Sequence, residues 1–514
     1  MLLTVPLDYN NTAVGTTDIA FIKWTAPPSD TSYSNPAQDI LINPGGPGIS
    51  GVRELLIAID RLKNAGGAQN NYVGFDPRGV NNSGPDLSCF TGRHHTKLLY
   101  EQGLNLPTSV HNENSLIESW GKAGAFGEWC SKVHSADNST AKYANTVAVA
   151  NDMRHYTELL AESKGEDPSK SQLWYWGVSY GTILGSTFAS LFPNRIGRMI
   201  LDGIVDAEDY YSGKLQNSME DVDAVLDTFF PYCYDAGAVN CALWEPSPEA
   251  IKARFHSVVD NLKTNPATVA TPGFSDFPSI LTYKILQATL LGALYTPDIY
   301  YPIIASGLVA LESGHAELIA SSTGTGIRSE SCDPDAQLPI VEDMEPPVFI
   351  MCNDANGRFL LNEYEDWVDH AKYLYNQSHY FGEAWSFLRL ICRKLDIRGP
   401  PSQIFTGVPS AANTSQPILF VSNKIDPVTP LSAAKRMRAN FGGAGLLVQN
   451  AAGHTSGSTM SRCTFGYFAK YFEDGTLPPE GKICEPDHLP FQDGTVDVMS
   501  RVGLGSALLD GWRV

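Results

Sequence analysis

The sequence predicts an α/β protein with a mostly parallel central sheet covered by helices on both faces. Apolar residues recur at helical spacing in "TVAVANDMRHYTELLAES" (146–163), and a second helical run begins just after Ser179. Short apolar runs rich in β-branched residues predict strands before, between and after these helices. Strands that alternate with helices in this way form parallel sheets buried on both faces. The predicted strands of this part of the chain lie at 17–26, 39–46, 71–79, 172–179 and 198–204.

The middle of the chain has a different pattern. Amphipathic helical stretches such as "MEDVDAVLDTFFPYCYDA" (219–236) dominate it, joined by connectors rich in Pro, Gly and Ser. Strand patterns return at 416–427 and 444–456. A chain of 514 residues exceeds what one hydrophobic core usually organises. We therefore expect a sheet domain in two parts with a large, mainly helical cap inserted between them: core 1–205, cap 206–404 and core 405–514.

Charge and motif content exclude several classes of function. The chain carries 36 basic and 56 acidic residues, a formal charge of −20, which disfavours nucleic acid and anionic membranes as partners. Its most apolar run, 280–296, contains Lys284 and is too short and too polar to cross a bilayer. We find no dinucleotide or phosphate-binding fingerprint and no cysteines at zinc-site spacing, so we expect neither a cofactor nor a metal.

The nine cysteines and five N-x-S/T sequons favour an oxidising, secretory compartment. The first residues, "MLLTVPLDYNN", lack the basic flank and long apolar core of a signal peptide, so we expect that a leader was removed and that the protein is secreted. The order of the cysteines suggests four disulfides and leaves Cys332 over, although other pairings fit the sequence. The expected pairs are Cys89 with Cys130, Cys233 with Cys241, Cys352 with Cys392, and Cys463 with Cys484.

The pentapeptide "GVSYG" (177–181) places Ser179 between two glycines, at the end of a predicted strand and the start of a predicted helix. A nucleophilic serine on such a sharp turn has strained backbone angles, so its neighbours must be small. The turn raises the hydroxyl above the sheet and directs helix N–H groups toward an oxyanion. The alternative is a glycine-rich turn that contains an incidental serine.

Two residues in the last part of the chain can complete a catalytic triad with Ser179. His454 directly follows a predicted strand in "NAAGHTS", where its imidazole can take the serine proton. Asp426 follows the preceding strand in "SNKIDPVTP", where it can accept the imidazole N–H and stabilise the imidazolium. Taken alone, His454 could be a packing residue and Asp426 a turn residue. The triad hypothesis depends on all three residues following strands in the order serine, aspartate, histidine.

An oxyanion hole needs two backbone N–H groups. The first candidate is that of Tyr180, the residue after the serine. The second is that of Gly46 in "NPGGPG" (43–48), because its glycines let the backbone approach a substrate closely and its prolines stiffen the loop. An ordinary proline–glycine turn is the alternative for this second motif.

These motifs together resemble the tripeptidyl aminopeptidase-like branch of the α/β-hydrolases, which is related to the proline iminopeptidases. The segments that carry the resemblance are "LINPGGPGISG", "VGFDPRGVNNSGP", "GVSYGTILGSTFASLFPNRIGRMILDG", "ILFVSNKIDPVTP" and "GHTS". The resemblance implies the α/β-hydrolase fold, the triad and oxyanion hole above, and a structural turn anchored by Arg78. It also implies a secreted serine exopeptidase, with the cap restricting the cleft to free N-termini.

The substrate is the open part of this interpretation. An aminopeptidase needs a shielded carboxylate for the substrate ammonium group, and the cap offers Asp354 in "MCNDANG" and Glu383 in "FGEAW". Glu208 and Asp209, just after the strand at 198–204, are further candidates. Most of the acidic residues are solvated, and any of these four could be as well. An esterase, lactonase or acyltransferase with the same triad is the main alternative, because caps diverge within this fold. A binding protein without catalysis is the third, and the intact triad disfavours it.

Overall fold

The computed structural model describes residues 1–27, 37–93, 96–97, 100, 108–136, 138–272, 278–323, 344–359 and 361–492. Within these ranges the centre of the protein is a nine-stranded sheet with the strand order β1-β2-β4-β3-β5-β6-β9-β10-β11, and β7 and β8 form a separate antiparallel pair. The strands are β1 (Leu2–Pro6), β2 (Thr16–Trp24), β3 (Asp39–Asn43), β4 (Asn71–Phe75), β5 (Leu173–Val178), β6 (Ile196–Asp202), β7 (Ala267–Val269), β8 (Ser279–Leu281), β9 (Leu419–Ile425), β10 (Gly445–Ala452) and β11 (Ile483–Cys484).

The central sheet is parallel except at one edge. β1 pairs with β2 and β2 pairs with β4 in antiparallel fashion, whereas the pairs from β4–β3 to β10–β11 are parallel. The predicted strands are all present, and the mostly parallel sheet is confirmed. The edge strands β1 and β11 were not predicted, because a five-residue and a two-residue strand carry little periodic signal.

The helices are, in chain order, α1 (Gly51–Gly66), α2 (Glu113–Val133), α3 (Thr146–Ser163), α4 (Tyr180–Leu191), α5 (Ala207–Ser212), α6 (Val222–Asn240), α7 (Pro248–Asn261), α8 (Tyr283–Ala293), α9 (Pro297–Glu312), α10 (Glu317–Thr323), α11 (Glu345–Ala355), α12 (Tyr364–Gln377), α13 (Gly382–Leu390), α14 (Leu431–Ala439) and α15 (Arg462–Asp474). None of these helices has the length and apolar character needed to cross a bilayer, as far as the described residues go.

Helices cover both faces of the sheet, as its strand sequences require. All five residues of β3 are buried, and successive residues point to opposite faces. Ile40 and Ile42 belong to the cluster that includes residues of α1 and α15. Leu41 belongs to the cluster that includes residues of α3 and α4. The sheet is therefore the middle layer of a three-layer protein.

Helices α5 to α13 and the β7–β8 pair lie between β6 and β9 in the chain. Residues of α6 to α10, such as Phe229 and Leu290, build a hydrophobic core of their own. Phe349 of α11 and Leu390 of α13 instead belong to the same cluster as the helices on the sheet. The helical insertion thus has one part with a separate core and one part packed on the sheet domain. Its limits at 206 and 404 stay a prediction.

Four disulfides join the cysteine pairs that the sequence order suggests. Two of them lie in the insertion. Cys233–Cys241 closes the C-terminal end of α6, and Cys352–Cys392 links α11 to the segment just after α13. Cys332 lies outside the described residues. The bonds are Cys89–Cys130, Cys233–Cys241, Cys352–Cys392 and Cys463–Cys484.

Candidate active site

Ser179 lies on the turn between β5 and α4, with φ 55° and ψ −122°. These angles are strained for a residue with a side chain, and the surroundings hold them in place. The Ser179 N–H donates to the Asp202 carbonyl at 2.9 Å, and the Thr182 hydroxyl donates to the Ser179 carbonyl at 2.7 Å. The turn therefore presents the serine at the C-terminal end of β5, as the sequence predicts.

The glycines on either side of Ser179 are required by close backbone approach. A Cβ built on Gly177 would lie 2.4 Å from the Gly181 carbonyl oxygen, and a Cβ on Gly181 would lie 2.7 Å from the Asn43 carbonyl oxygen. Any side chain at either position would push the turn away from β3 and β5. The glycine pattern that singled out this serine thus has a direct steric cause.

Asp426 and His454 form a buried pair at the ends of β9 and β10. Asp426 Oδ1 accepts from the backbone N–H groups of Val428 at 3.0 Å and Thr429 at 2.8 Å, and Oδ2 accepts from that of Thr455 at 2.9 Å. His454 Nδ1 lies 3.0 Å from Asp426 Oδ2. When Nδ1–H donates to the carboxylate, the neutral imidazole keeps Nε2 as its proton acceptor. This is the protonation pattern that a general base needs.

Two further residues fix His454, and no sequence motif pointed to either of them. The His454 N–H donates to the carbonyl of Tyr295 at 2.8 Å, and their rings meet edge to face at 4.9 Å. Tyr295 lies between α8 and α9, in the helical insertion. The Thr429 hydroxyl lies 3.1 Å from His454 Nδ1, so the ring is held both by the sheet domain and by the insertion.

The two predicted oxyanion-hole residues lie on the two loops that meet at Ser179. Tyr180 is the first residue of α4, so its N–H is among those that have no partner within the helix. Gly46 has φ 100° in the loop after β3. The Gly45 N–H donates to Asn43 Oδ1 at 3.0 Å, so that amide is already used within the loop. The oxyanion-hole roles stay a prediction.

A cavity of about 150 Å³ opens at Ser179 and His454. One wall is the α1 helix, where Glu54 and Arg61 form an ion pair of 2.7 Å. Another part of the wall comes from the helical insertion. The cavity therefore lies where the sheet domain meets the insertion, and it combines apolar and charged surface. Its lining includes Ile42, Pro44, Ile57, Leu62, Trp176, Asp202, Tyr295, Tyr300, Thr455, Ser456 and Phe465.

Asp354, one of the two predicted amine-binding residues, is buried in α11 with protein partners. It accepts hydrogen bonds from the Thr146 N–H at 2.9 Å, the Thr146 hydroxyl at 2.5 Å and the Tyr210 hydroxyl at 2.8 Å. Burial raises the pKa of Asp354 to about 6, and these donors partly offset that rise. The Thr146 hydroxyl also lies 2.6 Å from that of Tyr180. These contacts favour a supporting role behind the serine, and a role in amine binding stays a prediction.

Glu383, the other predicted amine-binding residue, is also engaged within the protein. Its carboxylate accepts from the Val110 N–H at 2.6 Å and forms an ion pair with Lys284 of α8. Neither Glu383 nor Asp354 is among the described residues that line the cavity. The structure does not bring either carboxylate to Ser179. Among the described residues, the acidic side chains that do line the cavity are Glu54 and Asp202, and no sequence motif singles out either of them.

The "DPRG" turn (76–79) braces two different parts of the molecule. Arg78 is fully buried and forms a bidentate pair with Asp152 of α3 at 2.7 and 2.8 Å. Asp76 instead accepts from the Ser50 hydroxyl at 2.5 Å, at the start of the cavity wall formed by α1. Arg78 is thus the anchor that the family resemblance implies, but Asp76 is the residue that reaches the active-site loop.

Two family models match the chain. The family described as alpha/beta hydrolase fold matches residues 40–233, and the family described as TAP-like protein matches residues 378–484. The first match contains Ser179, and the second contains Asp426 and His454. The chain therefore has the α/β-hydrolase fold, and it is a serine hydrolase enzyme.

Several curated proteins are similar along almost the whole chain. Serine protease Hip1 and carboxylesterase B of Mycobacterium tuberculosis are each 26% identical to it, over 94% of this chain and 86% of the relative. Tripeptidyl aminopeptidase of Streptomyces lividans is 24% identical, over 88% of this chain and 77% of the relative. A solved meta-cleavage product hydrolase from Pseudomonas fluorescens matches with 10% identity over 89% of this chain and 93% of that one, at a TM-score of 0.33. The relatives' names include both peptidases and an esterase.

Proposed function

We propose that this protein is a serine exopeptidase that releases short peptides or residues from free N-termini, with Ser179, His454 and Asp426 as its catalytic triad. The observation that carries the proposal is a single cavity that holds the strained serine and the histidine and is walled by the helical insertion. The match to the TAP-like family and the similarity to a serine protease and a tripeptidyl aminopeptidase support a peptide substrate.

Each residue of the site has a defined part in the reaction. His454 Nε2 takes the proton of the Ser179 hydroxyl while the serine oxygen attacks the scissile carbonyl. Asp426 holds the Nδ1–H and stabilises the imidazolium. The N–H groups of Tyr180 and Gly46 donate to the oxyanion of the tetrahedral intermediate. His454 then gives its proton to the leaving amine, which departs and leaves an acyl group on Ser179.

Water completes the cycle by the same route. His454 takes a proton from water, the hydroxyl oxygen attacks the acyl carbonyl, and a second tetrahedral intermediate collapses. The serine recovers its proton from the imidazolium, and the released peptide carries the new carboxylate. His454 accepts and donates every proton that is transferred in both halves of the reaction.

A second candidate function is hydrolysis of a small-molecule ester. Its support is the carboxylesterase B relative, which matches this chain with the same identity and coverage as the serine protease. The same triad performs both reactions. The two functions differ in whether the site recognises the terminal ammonium group of the peptide that is released.

Comparing one chromogenic tripeptide amide in its free and N-acetylated forms, alongside a p-nitrophenyl ester, tests the proposal. An N-terminal exopeptidase cleaves the free form and spares the acetylated form, and Ser179→Ala abolishes the activity. Cleavage of both amides at equal rates would indicate an endopeptidase. Cleavage of the ester alone would overturn the peptidase proposal in favour of the esterase.

We also propose that the protein works outside the cytoplasm. Four disulfides fit an oxidising compartment. The asparagines of the five sequons are all exposed, so a glycan could be attached to each without disturbing the hydrophobic core. They are Asn10, Asn81, Asn138, Asn376 and Asn413. Fractionation of the producing organism tests this, since recovery of the active protein only in the cytosolic fraction would contradict it.

A further inference from the structure

The loop that carries His454 is held by two buried carboxylates, one just after β9 and one at the end of β6. Asp426 accepts from the N–H of Thr455, the residue after the histidine. Asp202 accepts from the N–H of Ser456, one residue further on, at 3.0 Å, and from its hydroxyl at 2.5 Å. Successive amides of one loop are thus tied to two different strands of the sheet. The position of the imidazole depends on both ties.

Asp202 also contacts the turn that carries the serine. It is the last residue of β6, and its carbonyl accepts from the Ser179 N–H at 2.9 Å. The following residue, Gly203, lies so close to the histidine that a Cβ there would be 3.3 Å from His454 Cε1. The main chain of Asp202 therefore holds the nucleophile, and its side chain holds the loop of the base.

The Asp202 carboxylate places a second acidic group beside the imidazole. It is 2% exposed and lines the cavity together with His454. Burial raises the pKa of Asp202 to about 6, an effect strengthened by the charge of Asp426 and opposed by the two Ser456 hydrogen bonds and by His454. The other charged side chains that line the same cavity are those of Arg53, Glu54 and Arg61. Above about pH 6 two carboxylates face the histidine.

We propose that Asp202 is a positioning residue of the active site, which fixes the His454 loop through Ser456 and adds a second negative charge that stabilises the imidazolium formed during catalysis. The proposal rests on the triad proposed above. An interaction with the positive form of the base is stronger in the transition state than in the resting enzyme, so it raises kcat more than it changes KM. The same charge favours protonation of the base at low pH, which sets where the acid limb of the pH–rate profile falls.

The test is Asp202→Asn, measured as kcat, KM and a pH–rate profile on a p-nitrophenyl ester. Asparagine can still accept from the Ser456 N–H and can donate to its hydroxyl, so the charge is removed with little change of shape. We expect kcat to fall about tenfold with KM nearly unchanged, and the acid limb to move to lower pH by up to about one unit. Asp39→Asn is the matched control, because Asp39 is buried and hydrogen-bonded at the opposite end of the strands.

The outcomes separate this inference from the triad itself. A Ser179→Ala protein that keeps its esterase activity would overturn the triad. If Ser179→Ala is inactive while Asp202→Asn keeps the wild-type kcat, or loses kcat with an unmoved acid limb, Asp202 has no such role. Should Asp202→Asn fail to fold, Ser456→Ala gives the answer. Removal of the Ser456 hydroxyl takes away a hydrogen bond to the Asp202 carboxylate, which then protonates more easily. The negative charge is therefore lost at pH 6 but kept at pH 8, so kcat must fall more at pH 6. Superimposable pH–rate profiles of the variant and the wild type would overturn the proposal.

Discussion

Gly45 lies against Ser179 so closely that a Cβ built on Gly45 would stand 2.9 Å from the serine Cβ and 2.6 Å from the Val178 carbonyl oxygen. Gly45 also has φ 106°, a conformation that residues with side chains rarely adopt. The loop after β3 and the serine turn therefore fit together only because this position has no side chain. That fit is what brings the Gly46 amide toward the place where the oxyanion would form.

We predict that Gly45→Ala damages both the site and the fold. The added methyl group must push the two loops apart, which we expect to lower kcat/KM about 100-fold and stability by about 1–3 kcal/mol. Kinetics on the ester and thermal unfolding measure the two effects. Gly121→Ala is the control, since a Cβ at this position in α2 would have nothing within 4 Å. Equal behaviour of the two variants would refute the close fit.

We predict that Asp426→Asn lowers kcat about 10³- to 10⁴-fold and leaves KM nearly unchanged. The amide oxygen can keep the N–H donors of Val428 and Thr429. The amide nitrogen, which takes the place of Oδ2, can accept neither from His454 Nδ1–H nor from the Thr455 N–H. The histidine then loses its orienting acceptor and the charge that stabilises the imidazolium. Steady-state kinetics with circular dichroism as a folding check measure this. A loss of less than tenfold in a folded variant would exclude Asp426 as the triad acid.

We predict that Glu54→Gln weakens the binding of free-amine substrates. Glu54 is the carboxylate on the α1 wall of the cavity, and Arg61 is bonded to its Oε1. Loss of a charge-assisted contact with the substrate ammonium should raise KM for the free tripeptide amide at least about tenfold. KM for the ester should stay constant. Glu118→Gln, an exposed change in α2, is the control. An unchanged ratio of free to acetylated amide hydrolysis would exclude Glu54 as the amine receptor.

We predict that His370 makes stability depend on pH. Burial, together with the nearby Arg389, lowers the pKa of His370 to about 4. In the unfolded chain a histidine protonates near pH 6.5, so its contribution is complete above that pH and is lost as the pH falls toward 4. At pH 5 the loss is about 2 kcal/mol.

Thermal unfolding between pH 7.5 and pH 5 measures this contribution by difference. The wild type should lose more stability over this interval than His370→Gln, because the variant has no such group to protonate. Asp202 and Asp354, whose pKa values are raised, act in the opposite direction in both proteins and cancel in the comparison. His315→Gln, at an exposed position, should follow the wild type. Parallel curves for wild type and His370→Gln would contradict the assignment.

The sequence predicts those parts of the fold and site that are determined by residues close together in the chain. The serine turn combines a strand, two close-packed glycines and a helix within some twenty residues, so its pattern is continuous in the chain. The α3 helix was predicted at 146–163 and is found at Thr146–Ser163, because its apolar face is periodic. Asp426 and His454 follow strands directly, and strand ends in a parallel sheet share one edge.

The parts that the sequence does not predict depend on partners far away in the chain. Asp354 is bonded to Thr146, which is 208 residues away, and Glu383 to Val110, which is 273 residues away. Neither contact has a periodic pattern, so both residues looked equally available for substrate. The Glu54 position on the cavity wall likewise depends on how α1 faces the helical insertion. Composition and spacing carry no information about that packing.

The backbone bond between His454 and Tyr295 has a consequence for engineering. A cap that merely covered an active site could be cut out or exchanged for that of a relative, leaving a minimal hydrolase. Here the inserted segment supplies the hydrogen-bond acceptor for the histidine's own main chain. The cap and the catalytic residues therefore have to be exchanged together. A chimera with a different cap must keep a backbone carbonyl at the position of Tyr295, or His454 loses the hydrogen bond that fixes its main chain.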